Sequence, residues 1–392
     1  MSYELGYALL TPDSLFKNRA GGIISRLFAD PNLEFVAARM FVFSDEFLAE
    51  YQQVLCEDMT EPAKKKAWHD YIENKLSSKN ADGSPRCMLL LFKGDNAVRY
   101  LKENLVGSFA DERGAYTVRS TYGELIRNEA GDIVHFEPGV ITCPVPELNK
   151  KHLELFAKYA LTDGGIVAGD LEDKENSQTT LVMLKPDNFY VPSHKPGAII
   201  DTFSSTCLQV IGAKLFSMTV AQGEEFYGPL KPILVDKLQP AISQVALDRL
   251  ANAFDFDFSE IYADEIAKML SVPNAEAHFA RIVEYMTGVD PRTISPDLKA
   301  TTSKTHCLAI LYQGPDAIGK VRDVLGSTNP EKAAPGTVRN DFGTDILHNG
   351  VHASDAPENA MRERAIIGLT DETDAESCTL VKIIQDYLKT DN

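Results

Sequence analysis

Short apolar runs bounded by turn residues recur along this chain in a fixed order. "YALL" at 7–10 is followed by Thr-Pro-Asp, and "LVML" at 181–184 by Lys-Pro-Asp. Runs of this length between turn signals predict buried strands. Each is followed by a polar loop, a glycine and the helical pattern Gly-x-Ile-Ile-x-x-Phe or its near equivalent. "EFVAARMFVF" and "QVIGAKLFSM" predict second strands at the same relative place, and "EFLAEYQ" and "GEEFYGPL" both put an aromatic after acidic residues. "CMLLLFKGDNAVRYLKENLVGS" pairs with "HCLAILYQGPDAIGKVRDVLGS" as strand, turn and helix, and "YTVRSTYGE" pairs with "GTVRNDFGT". Five matched segments in one order predict two copies of one α+β domain.

The Gly-rich, then charged stretch at 162–178 reads as the linker, which puts the copies at 1–165 and 176–392. Residues 232–277, mostly helical in pattern, and 289–304 read as insertions.

Charge narrows the partners. The chain has 392 residues, 44% of them hydrophobic, with 57 acidic against 39 basic side chains and a formal charge of -18. Such a surface repels phosphate backbones and anionic lipid, so nucleic acid and membrane are not expected partners. A small anion is compatible with it, because a few convergent cations outweigh the distant field locally. The six cysteines, at 56, 87, 143, 207, 307 and 378, form no C-x-x-C pair and read as buried, reduced thiols. The start "MSYELGYALL" is neither a signal peptide nor a basic presequence, and no apolar run approaches the roughly 20 residues of a membrane span. The expected compartment is the cytoplasm.

Three stretches carry candidate chemistry. "GPDAIGK" at 314–320 has the spacing of a phosphate-binding loop, but Val321 stands where a hydroxyl should hold magnesium, so an ordinary strand-to-helix turn explains it better. "SDAPENA" at 354–360 reads as a helix start, with Asp355 as N-cap, Glu358 completing a capping box and Pro357 in the first turn. His352 then stands just before a helix whose dipole favours an anion. On the residues alone, a histidine here is more often a structural group than a working one. Two features favour work. Lys185 ends an apolar strand, and the polar loop 326–345 carries Thr328, Asn329 and Arg339 toward the histidine, with Arg322 on the preceding helix. A lysine, two arginines, a threonine, an asparagine and a histidine are the groups a polyphosphate site requires.

Taken together, "LKPD", "VLGSTNP", "PGTVRNDFG" and "NGVHASD" resemble the nucleoside diphosphate kinase family, the last being close to that family's signature Asn-x-x-His-(Gly or Ala)-Ser-Asp. The resemblance covers roughly 179–368, and a weaker version covers 3 to about 160. It implies an α+β chain of two tandem ferredoxin-like (βαββαβ) domains. Each has an antiparallel four-stranded sheet with helices on one face, and the second carries a helical insertion. It implies ping-pong transfer of the γ-phosphoryl group from a nucleoside triphosphate such as ATP to His352, then to a nucleoside diphosphate. His348 has no catalytic part in that pattern.

By the same resemblance Glu363 and Ser354 orient the ring, Lys185, Arg322 and Arg339 bind phosphate, and Thr328 and Asn349 bond sugar and phosphate. Tyr227 packs near the site. Mg2+ bridges the nucleotide phosphates, with Asp355 reaching its water shell. An uncharged imidazole suits this work because its lone pair needs no strong base to free it.

The chain departs from the family in several places. The base-stacking position falls on His278, with Phe279 next to it, and either ring could lie against a base. Asn188 replaces the usual glycine after "LKPD". In the first copy the lysine position is Thr11, the helix arginine is lost in "LKENLVG", and only Arg119 survives; "DIVHFEPG" offers His135 without the serine, aspartate or asparagine. The first copy is thus expected to be a non-catalytic internal partner, giving a pseudo-dimer within one chain and leaving a homo-oligomer open. A catalytically weak, nucleotide-binding regulatory protein and a scaffold without ligand are the competing readings.

Overall fold

Each half of the sequence lays its apolar runs side by side in one sheet. The computed structural model describes residues 3–80, 84–107, 116–171, 173–370 and 378–390. In the first half the strands are β1 (Glu4–Leu10), β2 (Leu33–Val42), β3 (Arg86–Gly94), a hairpin of β4 (Glu124–Arg127) and β5 (Ile133–Glu137), β6 (Val140–Ile141) and β7 (Gly164–Gly165). In the second they are β8 (Ser177–Leu184), β9 (Gln209–Phe216), β10 (Cys307–Pro315) and β11 (Val351–Ala353). The sheets run β6-β1-β3-β2-β7 and β11-β8-β10-β9, with β4 and β5 paired apart from both. Without the short β7, both orders are fourth, first, third, second: the ferredoxin-like order expected from βαββαβ. β1 pairs antiparallel with β3 and β6, and β8 with β10 and β11.

The residues fall into two compact units, Met1–Phe216 with Leu308–Asn392, and Ser217–Cys307. In the first unit, one side of β1 (Leu5, Tyr7, Leu9) joins a core with Phe47 and Tyr51 of the helix Asp45–Leu55 and with Leu153 and Phe156 of the helix Asn149–Tyr159. Leu380, Val381 and Ile384 of the helix Thr379–Thr390 complete that layer. The other side, Ala8 and Leu10, meets Ile23, Ile24 and Leu27 of the helix Ala20–Phe28. This sheet therefore carries helices on both faces, not on one. The sequence records it: β1 is a continuous apolar run rather than an alternating one, as a doubly covered strand requires.

The core on the Leu10 side runs without a break into the second half, through Val182 and Leu184 of β8 and Ile199 and Ile200 of the helix Lys195–Thr202. The helices Ala20–Phe28 and Lys195–Thr202, matched copies of one element, cross at their glycines. A Cβ on Gly21 would strike the backbone of Asp201, and one on Gly197 the backbone of Ser25. Those contacts are reciprocal, since Ser25 and Asp201 are themselves matched positions, and only glycine lets the backbones approach so closely. The stretch read as a linker is ordered in part: β7 pairs Gly164 with Phe41 and Gly165 with Met40, and Val167 N donates to Ile211 O at 2.9 Å.

The second unit is helical. The helix Val220–Tyr227 starts with a capping box between Thr219 and Gln222. The helices Leu230–Leu250 and Glu260–Thr287 follow and pack on each other. The first insertion lies on these two helices and the turn between them. Ala263, Ala267, Ser271, Ala275 and Phe279 line one buried stripe of the longer helix at four-residue spacing. The second insertion closes over the start of the helix Val220–Tyr227, where Val220 N donates to Thr302 O and Ala221 N to Lys299 O. No helix among the described residues is long and apolar enough to cross a membrane. All six cysteines are free; five are buried as expected, whereas Cys207 is exposed.

Candidate functional site

β8 and β11 bring the ends of the motif segments together. Met183 pairs with His352 and Leu184 with Val351, so the histidine sits on the edge strand beside the end of β8, where Lys185 follows. The helix Pro357–Ile366 begins with Ala356 as N-cap, and no side chain caps it. The capping box expected at Asp355 and Glu358 does not form. Asp355 lies one residue too early, exposed, and its Oδ1 accepts instead from Asn359 Nδ2 at 2.7 Å. Pro357 holds the first helical position, as expected.

That helix carries Glu363 back to the strand. His352 Nε2 lies 2.8 Å from Glu363 Oε2, and Ser354 Oγ donates to the same oxygen at 2.7 Å. Ser354 is fully buried, Glu363 is 5% exposed, and the histidine side chain is 21% exposed. A carboxylate only accepts, so this arrangement puts the ring proton on Nε2 and the lone pair on Nδ1. Arg362, which the sequence motifs do not mark, brings NH2 to 3.4 Å from the other oxygen, Glu363 Oε1.

The cations and amides form one connected set. Lys185, 9% exposed, donates through Nζ to Asn349 Oδ1 at 2.7 Å and to Leu347 O at 3.3 Å. Asn349 Nδ2 donates to Thr328 O and Ile346 O, both at 3.1 Å. Arg339 donates to Gly326 O at 3.1 Å, Thr328 Oγ1 at 3.5 Å and Val351 O at 3.4 Å, the last carbonyl adjoining His352. Arg322 lies exposed on the helix Ala317–Leu325, and Thr328 is exposed just beyond that helix. His348 is placed otherwise: its Nδ1 pairs with Asp345 Oδ2 at 2.9 Å in an exposed turn, and the His348 backbone and ring together hold Asp345 below the usual carboxylate range.

Tyr227 and Phe279 belong to the second unit. Tyr227 is 6% exposed at the end of its helix, and Phe279 is 4% exposed. The Lys231 ammonium stands 4.3 Å from the Phe279 ring centroid. Phe279, expected as a base-stacking ring, is therefore packed inside under a cation. His278 beside it is the more exposed of the two.

Register identifies what the first copy puts at each place. Leu9 pairs with Ile141 and Leu10 with Val140, as Met183 pairs with His352 and Leu184 with Val351. The counterpart of His352 is thus Ile141, fully buried and without a nucleophile, and His135 lies elsewhere, on the β4–β5 hairpin. Arg119 keeps the bonds of Arg339, donating to Gly107 O at 2.7 Å and Val140 O at 3.2 Å. Around it, however, the cleft is filled. Its guanidinium stands 5.6 Å from the Trp68 ring centroid, Phe136 packs edge-on to Trp68, and burial pushes the Arg119 pKa down to about 10. Tyr71 occupies the space near the turn, donating to Asp13 Oδ2 at 2.7 Å.

Among the described residues, one His–carboxylate group has metal-ligand spacing: Glu124, His135 and Glu137, with donor atoms within 4.8 Å of one another. Lys17 and Arg19 already neutralise both carboxylates, at 2.5 Å from Glu137 and Glu124, and the Arg19 hydrogen bond holds Glu124 down to about 2. A cluster so compensated is an ion-pair network, not a metal cage.

The chain is similar to nucleoside diphosphate kinases. A family model described as nucleoside diphosphate kinase matches residues 261–372. The nucleoside diphosphate kinase of Methanoregula boonei is 40% identical over 87 residues, which is 22% of this chain and 58% of that protein. That of Chloroflexus aggregans is 49% identical over 69 residues, 18% of this chain and 46% of that protein. That of Herpetosiphon aurantiacus is 36% identical over 147 residues, 36% of this chain and 86% of that protein. The chain spans about half to three-fifths of the length of the first curated relatives it matches.

Proposed function

Because the chain belongs to the nucleoside diphosphate kinase family, we propose that it moves the γ-phosphoryl group of a nucleoside triphosphate onto His352 and then onto a nucleoside diphosphate. The observation that carries this reading is the Glu363 carboxylate, held by Ser354 and bonded to His352 Nε2, which fixes the tautomer whose lone pair is on Nδ1.

In the first half-reaction the Nδ1 lone pair forms a bond to the γ-phosphorus. The bond from phosphorus to the bridging oxygen breaks, and the nucleoside diphosphate leaves with that electron pair. The ring, still protonated on Nε2, becomes cationic, and Glu363 faces the new charge. In the second half a terminal phosphate oxygen of the acceptor attacks phosphorus, and Nδ1 departs with its electrons. Such transfer asks the protein mostly for alignment and charge neutralisation. Lys185, Arg322 and Arg339 would supply the cations, and Thr328 and Asn349 the hydrogen bonds to sugar and phosphate.

Mg2+ fits this site only as part of its nucleotide. The acidic groups beside His352 are Glu363, committed to the ring, and Asp355, bonded to Asn359, so phosphate oxygens would hold the ion. When bound there it would offset phosphate charge. The first copy, 1–165, serves in this proposal as the built-in packing partner of 176–392, an internal pseudo-dimer supported by the reciprocal glycine crossing, with one working site per chain. Free cysteines support a reducing compartment, in keeping with the cytoplasm.

The test is acid-labile label on His352 after incubation with γ-labelled ATP and Mg2+. A fully active His352→Ala protein would refute the proposal. Burial of Phe279 under Lys231 favours a second reading, a nucleotide-binding regulatory protein with weak turnover. That reading requires measurable nucleotide binding with phosphate exchange between nucleotides at or near the limit of detection.

A further inference from the structure

We propose that Asn188 is a positioning residue for the phosphotransfer site: its side-chain nitrogen joins the carbonyl of Lys185 to that of Gly350, fixing the lysine against the turn that delivers His352. The proposal rests on the phosphotransferase reading above and concerns the same site.

Asn188 closes the short helical turn Pro186–Asn188 and is 2% exposed. Its Nδ2 donates to Gly350 O at 2.7 Å and to Lys185 O at 2.9 Å. Two carbonyls facing one end of the amide require the nitrogen there, since the reversed amide would set three oxygens against each other. Gly350 O also accepts the Lys185 N–H at 2.9 Å, and Lys185 Nζ reaches Asn349 Oδ1 at 2.7 Å. Lys185 is therefore tied at its backbone nitrogen, its carbonyl and its ammonium to one neighbourhood, residues 188 and 347–350. Two residues beyond Gly350 in the chain comes His352. A shift of this turn moves the ammonium and the imidazole together.

The first copy supplies an internal comparison. The residue matching Asn188 is Ser14, whose hydroxyl donates to Gly139 O at 2.6 Å, and Gly139 matches Gly350. Thr11, matching Lys185, donates its backbone N–H to the same carbonyl at 3.3 Å. Both copies thus hold the glycine carbonyl through the same side-chain position. A hydroxyl suffices where there is no ammonium to aim and no histidine to place.

Asparagine does more, at a cost. Its Oδ1 is buried without a hydrogen-bond partner among the described residues, an arrangement that disfavours the fold. Serine would hold Gly350 without that orphaned acceptor. What asparagine adds is the bond to the Lys185 carbonyl. Stability by itself would select serine, so the second bond points to the site.

The experiment uses the full chain with Asn188→Ser and Asn188→Ala. For each, melting temperature is measured beside the rate of His352 labelling by γ-labelled ATP, at saturating and at limiting nucleotide. Asn188→Ser should melt at or above the wild-type temperature yet label about tenfold more slowly at saturation, as a small misplacement of a reacting group predicts. Asn188→Ala should lose both melting temperature and rate. A serine variant that labels at the wild-type rate would overturn the proposal, leaving Asn188 a structural clamp. A wild-type chain that binds no label at all would overturn the phosphotransferase reading, and the positioning role with it.

Discussion

Replacing Glu363 by glutamine keeps the size of the side chain and removes its charge. The effect follows from the geometry. At 2.8 Å from Nε2 the carboxylate stands beside a ring that, on the proposed mechanism, gains positive charge when the phosphoryl group lands on it. Two full charges at that distance attract by about 6 kcal/mol at an effective dielectric of about 20. Most of this is offset by desolvation and by the hydrogen bond that the glutamine oxygen still accepts. The difference between a charge-assisted and a neutral hydrogen bond is about 1–2 kcal/mol, which sets the rate loss at about 5- to 30-fold. Ser354, fully buried, donates equally well to an amide oxygen, so the fold should tolerate the change. Rapid-quench labelling of His352 reads the step directly. If Glu363→Gln labels within twofold of wild type while its melting temperature holds, the carboxylate does not answer the charge of the ring.

Other predictions follow the same logic. Labelled ATP should place one acid-labile phosphate on each chain, because the first copy has Ile141 where the second has His352; two per chain would contradict the register. Gly197→Ala should lower stability by about 1–3 kcal/mol or more, since the added methyl meets Ser25 backbone rather than a movable side chain; an unchanged thermal melt would speak against the crossing. Burial pushes the His152 pKa down to about 3, with its Nδ1 bonded to Tyr7 OH at 2.9 Å. As pH falls below about 6.5 the unfolded chain takes up a proton that the native one refuses until about 3. Stability should therefore drop across that window by up to ~1.4 kcal/mol per pH unit. Chemical denaturation from pH 7 to 4 tests this: His152→Gln should flatten the dependence, and equal slopes would count against it.

The strand order and the meeting of Lys185 with the segment that carries His352 were legible in the sequence, for a physical reason. Strands buried on both faces read as unbroken apolar runs, and the Pro-Asp pair after β1 and after β8 opens a short helical turn in each half. The motif around His352 reads as a unit because several of its members touch: Lys185 to Asn349, Asn349 to the Thr328 backbone, Arg339 to the Val351 backbone. What escaped depended on register or on distant partners. His135 looked like a faded counterpart of His352 because composition cannot say which strand pairs with β1. The cap moved from Asp355 to Ala356 because both lie within two residues of Pro357, and local pattern does not fix a helix start that closely. Phe279 was expected against a base, but it continues the buried stripe of its helix, with Lys231 over its ring.

The helix Thr379–Thr390 sets the order in which this protein can be completed. A ribosome that has released residues up to 165 has made every strand of the first sheet, yet not Leu380, Val381 and Ile384, which close its Tyr7 and Phe156 layer. A layer begun by residues before 165 waits for residues after 379 before its interior is sealed. A nascent chain stalled in the second half exposes that open greasy layer to chaperones and proteases, so the half bearing Ile141 reaches its finished form only when the half bearing His352 has been translated.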